Sequence, residues 1–181
     1  MKKLLYLFLG ITFACSSGDE SSGNNCDLDL ASTKFDQLTG QMSYLDIENT
    51  IGQTGNNFRT DNLGTLGELK FYRWDFCDGV GLIECWIIND ERLQLKTKNF
   101  ADNSCSKNVN QLNYSLISIG DSYSQVSSLI DNQGDNIRVD YGAQGSPDVN
   151  FYRWYNCSNR SDYIEVWFDF NGEAYLINKS F

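Results

Sequence analysis

The groups in this sequence that could do chemistry are six cysteines and a set of arginine, glutamate and tryptophan residues that recurs along the chain. The sequence contains no histidine. Histidine is the commonest general base and a frequent metal ligand, so its absence removes His-dependent catalytic triads and most transition-metal sites. We therefore expect disulfide formation and binding rather than catalysis, with no cofactor and no bound metal.

Carboxylates offer the remaining route to an enzyme. The 24 acidic residues would allow an Asp/Glu pair for glycoside hydrolysis. Glu84 and Glu165, however, lie beside repeated arginines, which favour the ionised carboxylate and oppose a role as general acid. Residues 131–135 (DNQGD) suggest calcium ligation, but they lack the twelve-residue loop with its terminal Glu. We expect no enzymatic activity.

An internal repeat positions these residues. Phe71-Tyr72-Arg73-Trp74 returns as Phe151-Tyr152-Arg153-Trp154, and residues 82–86 (LIECW) return as residues 163–167 (YIEVW). The period of about 80 residues is too long for a solenoid repeat, so it predicts two tandem copies of one small module. A module of this size is marginally stable alone, and we expect the copies to share a core or an extended sheet.

The repeat also predicts the disulfides. Each copy has one cysteine at its start and another three residues after its FYRW motif, which pairs Cys26 with Cys77 and Cys105 with Cys157. A bridge between the copies, Cys26–Cys105, is the alternative. The counterpart of Cys85 is a valine, so we expect Cys85 to be a small buried residue without special reactivity.

The N-terminus has the features of a bacterial lipoprotein signal. Residues 1–14 combine two lysines with an apolar run that is too short to span a bilayer, which indicates a signal peptide. Thr12-Phe13-Ala14-Cys15 resembles a lipobox, in which Cys15 is lipidated; an ordinary secretory signal is the alternative. Residues 15–25 form an expected flexible tether. The SSGDE run after Cys15 resembles the surface-export signal of Bacteroidetes lipoproteins.

The remaining chain divides into module 1, residues 26–101, and module 2, residues 102–181. Each is expected to contain two short helices and then an antiparallel sheet of about four strands. The predicted class is α+β, with the helices on one face of each sheet and the other face concave and open.

Capping and turn residues support these elements. Thr33 and Ser43 open two helices of module 1 with capping-box patterns, and Ser122 opens the second helix of module 2. The strands are separated by turn signals, of which Asn171-Gly172 is a strong hairpin signal.

Alternation along the strands assigns the two faces of the sheet. The apolar positions should face the helices: Ile83, Cys85, Ile87, Ile164, Val166, Phe168 and Phe170. Residues that alternate with them include charged side chains, so the second face is not core. We expect Arg73 to pair with Glu84, and Arg153 with Glu165. We assign partner binding to nine residues of the second face: Phe71, Arg73, Glu84, Trp86, Phe151, Arg153, Tyr163, Glu165 and Trp167.

The composition of this face favours a protein partner. Trp, Tyr and Arg dominate binding hot spots, and a large exposed aromatic patch normally marks an interaction site. The alternative is that the aromatic rings pack on one another and only complete the fold. The formal charge of −10 disfavours nucleic acid and anionic membranes, so we expect membrane contact only through the lipid anchor.

The sequence also resembles a known family. Residues 34–43 (KFDQLTGQMS), followed by Ile47, Ile51 and Gly52, are similar to the opening helices of each repeat in the β-lactamase inhibitor protein family. The second copy matches at Tyr114, Ile117, Gly120, Ser122, Val126 and Asp131. Residues 165–168 (EVWF) and the following Asn171-Gly172 resemble the family's penultimate strand and turn. Small lipoproteins of outer-membrane assembly are single-module relatives of this family.

The resemblance implies two modules whose sheet grips a protein partner, with Trp167 at a tryptophan of the binding face and Trp86 as its repeat. Gln41 replaces a family glycine, and residues 59–67 only correspond in position to the family's reactive loop. We expect an exported, lipid-anchored protein-binding module, periplasmic or at the cell surface, with a β-lactamase-like enzyme as one candidate partner. The alternatives are a structural lipoprotein of outer-membrane assembly and a carbohydrate- or peptide-binding surface lipoprotein.

Overall fold

The computed structural model describes residues 27–100, 104–142 and 146–181. Two helices and four strands are followed by two more helices and four more strands. The helices are α1 (Leu28–Gln37), α2 (Tyr44–Ile51), α3 (Gln111–Leu116) and α4 (Tyr123–Ile130). The strands are β1 (Asn56–Asn62), β2 (Glu68–Phe76), β3 (Gly81–Ile88), β4 (Arg92–Lys98), β5 (Asp135–Asp140), β6 (Val149–Tyr155), β7 (Tyr163–Phe168) and β8 (Ala174–Ser180).

All eight strands belong to one antiparallel sheet, in which the strand order follows the chain from β1 to β8. The prediction of two tandem modules, each with its own sheet of about four strands, is therefore wrong, although the chain is α+β. The two halves join where β4 pairs with β5, through Leu95–Asp140, Lys96–Val139 and Thr97–Arg138. This pairing satisfies backbone groups that two separate sheets would leave at additional free edges. Of the two arrangements considered for the repeat, a shared sheet is the one that forms.

Buried lysines strengthen this seam between β4 and β5. Lys98 Nζ lies 2.5 Å from Asp135 Oδ1, and neither side chain is more than 2 % exposed. Lys96 Nζ donates to the carbonyls of Phe35 and Leu38 at the end of α1, at 2.8 and 2.9 Å. Burial lowers the pKa of Lys96 to about 8. The two lysines therefore tie β4 to β5 and to α1.

Capping boxes start the second helix of each half, as predicted. Ser43 Oγ accepts from the Asp46 amide, and Asp46 Oδ2 accepts from the Ser43 amide at 3.0 Å. Ser122 and Gln125 make the same reciprocal pair at the start of α4. These local hydrogen bonds satisfy amides that the first turn of a helix leaves unpaired.

The predicted start of the first helix is wrong. α1 begins at Leu28, and its N-cap is Asp27, whose carboxylate accepts from the Leu30 amide at 2.8 Å. Thr33 lies inside the helix, where its hydroxyl donates to the Asp29 carbonyl. An upstream carboxylate cap thus starts the helix before the Thr33 pattern is reached.

The helices pack on one face of the sheet and enclose two groups of buried side chains, one in each half. Ile83, Cys85 and Ile87 are fully buried in the first group, as predicted. Phe170 was expected in the second group, but it is 60 % exposed. β7 ends at Phe168, so the alternation of the strand no longer applies at Phe170.

The predicted Cys105–Cys157 disulfide is confirmed, and it excludes the Cys26–Cys105 alternative. Cys77 is also disulfide-bonded, and its expected partner, Cys26, lies outside the described residues. Cys85 is a buried free thiol, and burial raises its pKa. The signal peptide, Cys15 and the tether lie outside the described residues. No helix in the described ranges is long and apolar enough to cross a membrane.

Candidate functional site

The sheet face opposite the helices, termed the open face, brings the nine predicted site residues together as two equivalent groups. They lie on β2 and β3 in the first half, and on β6 and β7 in the second. The register pairs them across strands as Phe71–Trp86, Arg73–Glu84, Phe151–Trp167 and Arg153–Glu165, with Tyr163 at the start of β7.

An Arg–Phe–Trp stack is the central feature of each group. The Arg59 guanidinium lies 4.7 Å from the centroid of the Phe71 ring, and the Phe71 and Trp86 ring centroids are 4.9 Å apart. The second half repeats these contacts at 4.8 Å for Arg138–Phe151 and 4.6 Å for Phe151–Trp167. Cation–π and aromatic contacts of this kind contribute about 0.5–1.5 kcal/mol each.

A carboxylate two residues later holds each arginine of the stack. Arg59 Nε donates to Asp61 at 2.9 Å, and Arg138 Nε donates to Asp140 at 2.6 Å. Residues i and i+2 of a strand point to the same face, so each Arg-x-Asp motif places its pair on the open face. The repeated motif was the available signal for Arg59 and Arg138, which are not among the predicted site residues.

The predicted cross-strand ion pairs are confirmed. Arg73 Nε donates to Glu84 at 3.0 Å, and Arg153 Nε donates to Glu165 at 2.9 Å. Burial alone would lower the pKa of Arg153, but its hydrogen bonds, first to Glu165, outweigh that effect and the pKa is raised. Arg153 therefore stays charged and fixed at all physiological pH values.

The two tryptophans differ in their hydrogen bonding. Trp167 Nε1 donates to Glu165 Oε1 at 2.9 Å. Trp86 Nε1 has no hydrogen-bond acceptor among the described parts of the chain. Both indoles are partly exposed.

Three of the predicted site residues lie beneath the surface. Phe71, Phe151 and Glu165 are 5, 4 and 6 % exposed. The two phenylalanines are covered by the arginine and tryptophan of their stacks, so they support the open face and do not form its outer layer. For Phe71 and Phe151, the alternative interpretation applies: the rings pack within the fold.

Exposed apolar residues that sequence analysis did not select lie at both ends of the open face. Phe58 of β1 is 44 % exposed, and the Arg73 guanidinium lies 4.7 Å from its ring. Tyr175 and Leu176 of β8 are 44 and 37 % exposed. Tyr175 packs edge-on against Trp167, with ring centroids 6.1 Å apart.

Four ion pairs lie on the open face. They join Arg59 to Asp61, Arg73 to Glu84, Arg138 to Asp140 and Arg153 to Glu165. An aromatic surface with prepaired charges is suited to burial against another protein, because few charges must be desolvated without a partner.

Comparison with known proteins places the chain in a family. The family model for the beta-lactamase inhibitor (BLIP) matches residues 31–157. A crystal structure from Streptococcus mutans, described as a candidate beta-lactamase inhibitor protein, superposes with a TM-score of 0.58 at 17 % identity, covering 86 % of this chain and 96 % of that one. A search of curated proteins finds no significant match. On the extent of the family match, this chain belongs to the beta-lactamase inhibitor (BLIP) family.

Proposed function

We propose that this protein is a non-catalytic binding protein that grips a protein partner, in the manner of an inhibitor, on the open face of its sheet. The observation that carries the proposal is the duplicated Arg–Phe–Trp stack. Family membership supports a binding role, since the family is described by inhibition of an enzyme.

Preorganisation is the physical reason why this surface should bind. Both arginines of the stacks are held by their aspartates, and both tryptophans rest on buried phenylalanines. Side chains that are already fixed lose little rotamer entropy on association, which otherwise costs about 0.5–1.5 kcal/mol for each ordered side chain. Exposed tryptophan and arginine are also the residues most enriched at energetic hot spots.

The unequal tryptophans imply different roles in the complex. Trp86 has a free indole N–H, so the partner should supply an acceptor there, whereas Trp167 should contribute apolar contact only. Trp86→Phe should therefore weaken binding more than Trp167→Phe, because only the first change leaves a partner acceptor unpaired.

We also propose that the protein is exported and anchored by a lipid. The lipobox-like Thr12–Cys15 and the acidic segment after it support attachment through Cys15, with the folded residues held outside the cytoplasm. The Cys105–Cys157 disulfide supports an oxidising compartment.

An inhibition assay against a panel of β-lactamases tests the proposed function. We expect the wild type to inhibit at least one enzyme of the panel. The Trp86→Ala/Trp167→Ala variant should inhibit it about 100-fold more weakly, as expected for the loss of two hot-spot residues.

The matched control is Leu45→Ala/Leu112→Ala, which removes two apolar side chains that are 60 and 70 % exposed on the helices. This control should inhibit like the wild type. An equal loss in both double variants, or no inhibition of any β-lactamase by the wild type, would contradict the inhibitor role.

A further inference from the structure

β8 forms one edge of the sheet, and no strand in residues 27–100, 104–142 or 146–181 pairs with its outer side. Its first residue, Ala174, is bonded there to the preceding turn: the Ala174 amide donates to the Asp121 carbonyl, and the Ala174 carbonyl accepts from the Gly120 amide, both at 2.8 Å. The edge from Tyr175 onward pairs with no strand of the described residues. A strand at a sheet edge presents unpaired backbone donors and acceptors, which can receive a further strand. The internal repeat contains an example of such a strand, because the equivalent strand of the first half, β4, is paired with β5.

β4 is the equivalent of β8, as the strand registers show. Leu95 lies opposite Trp86 as Leu176 lies opposite Trp167, and Lys96 lies opposite Cys85 as Ile177 lies opposite Val166. β5 covers β4, and Leu95 is 4 % exposed. No strand covers β8 within the described chain, and Leu176 is 37 % exposed.

The uncovered edge is more apolar than the covered one. Ile177 replaces Lys96, and the exposed Tyr175 stands at the bulge position that Gln94 occupies in β4. Proteins usually protect a free edge with charged residues or proline. The only charge on β8 is Lys179, whose ammonium is bonded to Gln111 on α3. β8 therefore lacks the usual protection of an edge.

The opposite edge, β1, is protected. Arg59 and Asp61 form an exposed ion pair on it, and the Asn57 side chain accepts from the Arg59 amide at a bulge. Thr60 of β1 is equivalent to Val139 of β5. Val139 lies opposite Lys96 in the β4–β5 pairing. β1 of a second copy would thus present a hydroxyl residue opposite Ile177, which makes a second copy a poor occupant of β8.

We propose that the outer edge of β8 pairs with an extended segment of a partner protein that resembles β5. The segment would run antiparallel to β8, with an aliphatic residue opposite Ile177, as Val139 lies opposite Lys96. The neighbouring positions would carry an acid opposite Leu176 and an arginine opposite Asn178, in the places of Asp140 and Arg138. This site is the edge of the sheet, and it does not depend on binding at the open face.

One backbone amide of the β8 edge is hydrogen-bonded to a side chain of the same strand. Asn178 Oδ1 accepts from the Lys179 amide at 2.9 Å. Backbone amides of a strand point alternately to its two neighbours, and the Lys179 amide, which bonds to the Asn178 side chain, points away from β7. An incoming strand would replace the Asn178 contact with a backbone carbonyl, so removal of this side chain should favour binding.

The chain's own β5 sequence supplies the probe. A fluorescein-labelled peptide of residues 135–142 (DNIRVDYG) is titrated with the intact protein, and binding is followed by fluorescence anisotropy. We expect saturable binding that is about ten-fold weaker for Ile177→Glu and a few-fold tighter for Asn178→Ala. Thr60→Glu, which places the same charge on the β1 edge, should bind like the wild type.

Hydrogen exchange locates the bound peptide, and sedimentation detects self-association of the protein. Bound peptide should protect the amides of Ile177 and Lys179 from exchange. The proposal is overturned by absence of saturable binding, by equal binding to the Ile177→Glu and Thr60→Glu variants, or by protection confined to other strands. Self-association of the protein through β8, detected by sedimentation without peptide, would assign the edge to a second copy and would also overturn it.

Discussion

Asp131 and Gly52 occupy the same position at the ends of α4 and α2, and both adopt left-handed backbone conformations, with φ of 55° and 78°. Glycine adopts this conformation without steric cost, whereas a side chain is strained there. A carboxylate is also unfavourable near the negative end of a helix. The second half of the repeat therefore keeps a less stable helix end.

Asp131→Gly should raise the free energy of unfolding by about 0.5–1 kcal/mol, because it removes both the strain and the unfavourable charge. Urea unfolding followed by circular dichroism measures the change. The reverse substitution, Gly52→Asp, is the matched control and should lower stability. A stability of Asp131→Gly equal to or below that of the wild type would contradict this account.

Lys96 makes stability depend on pH. Burial lowers its pKa in the folded protein to about 8, below the ordinary value of 10.5. The unfolded chain therefore binds more protons between these values, and the Lys96 contribution to stability rises with pH through that window. Between pH 7.5 and 9 the increase should be about 1 kcal/mol.

The measurement compares the wild type with Lys96→Met in urea at both pH values. Burial raises the pKa of the Cys85 thiol, so ionisation of the unfolded thiol opposes the gain at higher pH. Both proteins keep Cys85, so this effect cancels in the difference. A difference in stability that does not change between pH 7.5 and 9 would show that Lys96 is not held in the buried environment described.

At the scale of elements, the β4–β5 seam decides whether the protein is one sheet or two. Its ladder contains three residue pairs, and the buried Lys98–Asp135 ion pair lies beside it. Removing one partner of a buried ion pair leaves an uncompensated charge, which typically costs about 3–5 kcal/mol.

Asp135→Ala should therefore destabilise the protein by about 3–5 kcal/mol. The double variant Lys98→Met/Asp135→Leu should recover most of this loss, because it removes both charges of the pair. Thermal unfolding of the two variants tests the pair. If the double variant is as unstable as Asp135→Ala, the loss comes from packing or other contacts and not from the buried charge that Asp135→Ala leaves unpaired on Lys98.

Local signals predicted the elements better than their assembly. Ser43 and Ser122 identified two helices because a capping box is set by residues three apart, and strand alternation identified the buried face of β3. The start of α1 was missed because two capping signals, Asp27 and Thr33, compete within a few residues. A shared sheet was one of two arrangements expected for the repeat, but the strands that join it were not predicted, because the pairing of Lys98 with Asp135 depends on contacts between distant segments.

The candidate site shows the same division. The Arg73–Glu84 and Arg153–Glu165 pairs follow from register within neighbouring strands, so the repeat sufficed to predict them. The burial of Phe71 and Phe151 did not follow, because it requires Arg59 and Arg138 to fold over the rings from adjacent strands. Exposure of Tyr175 depends on β8 being an edge, which only the order of the whole sheet reveals.

At the scale of the molecule, one sheet presents two copies of the same Arg–Phe–Trp stack on a single face. The helices cover the other face. A partner that spans both halves can therefore contact both tryptophans at once, and binding at linked contacts is stronger than at either alone.

The most direct test of the central claim is site-specific photo-crosslinking of the protein in its native host. A photoreactive residue at Tyr163 samples the open face, and one at Leu112 samples the helix side. The account predicts a discrete crosslinked protein from position 163 that disappears in the Trp86→Ala/Trp167→Ala background, and none from position 112. The same adduct from both positions, or an adduct from position 163 that persists without both tryptophans, would contradict it.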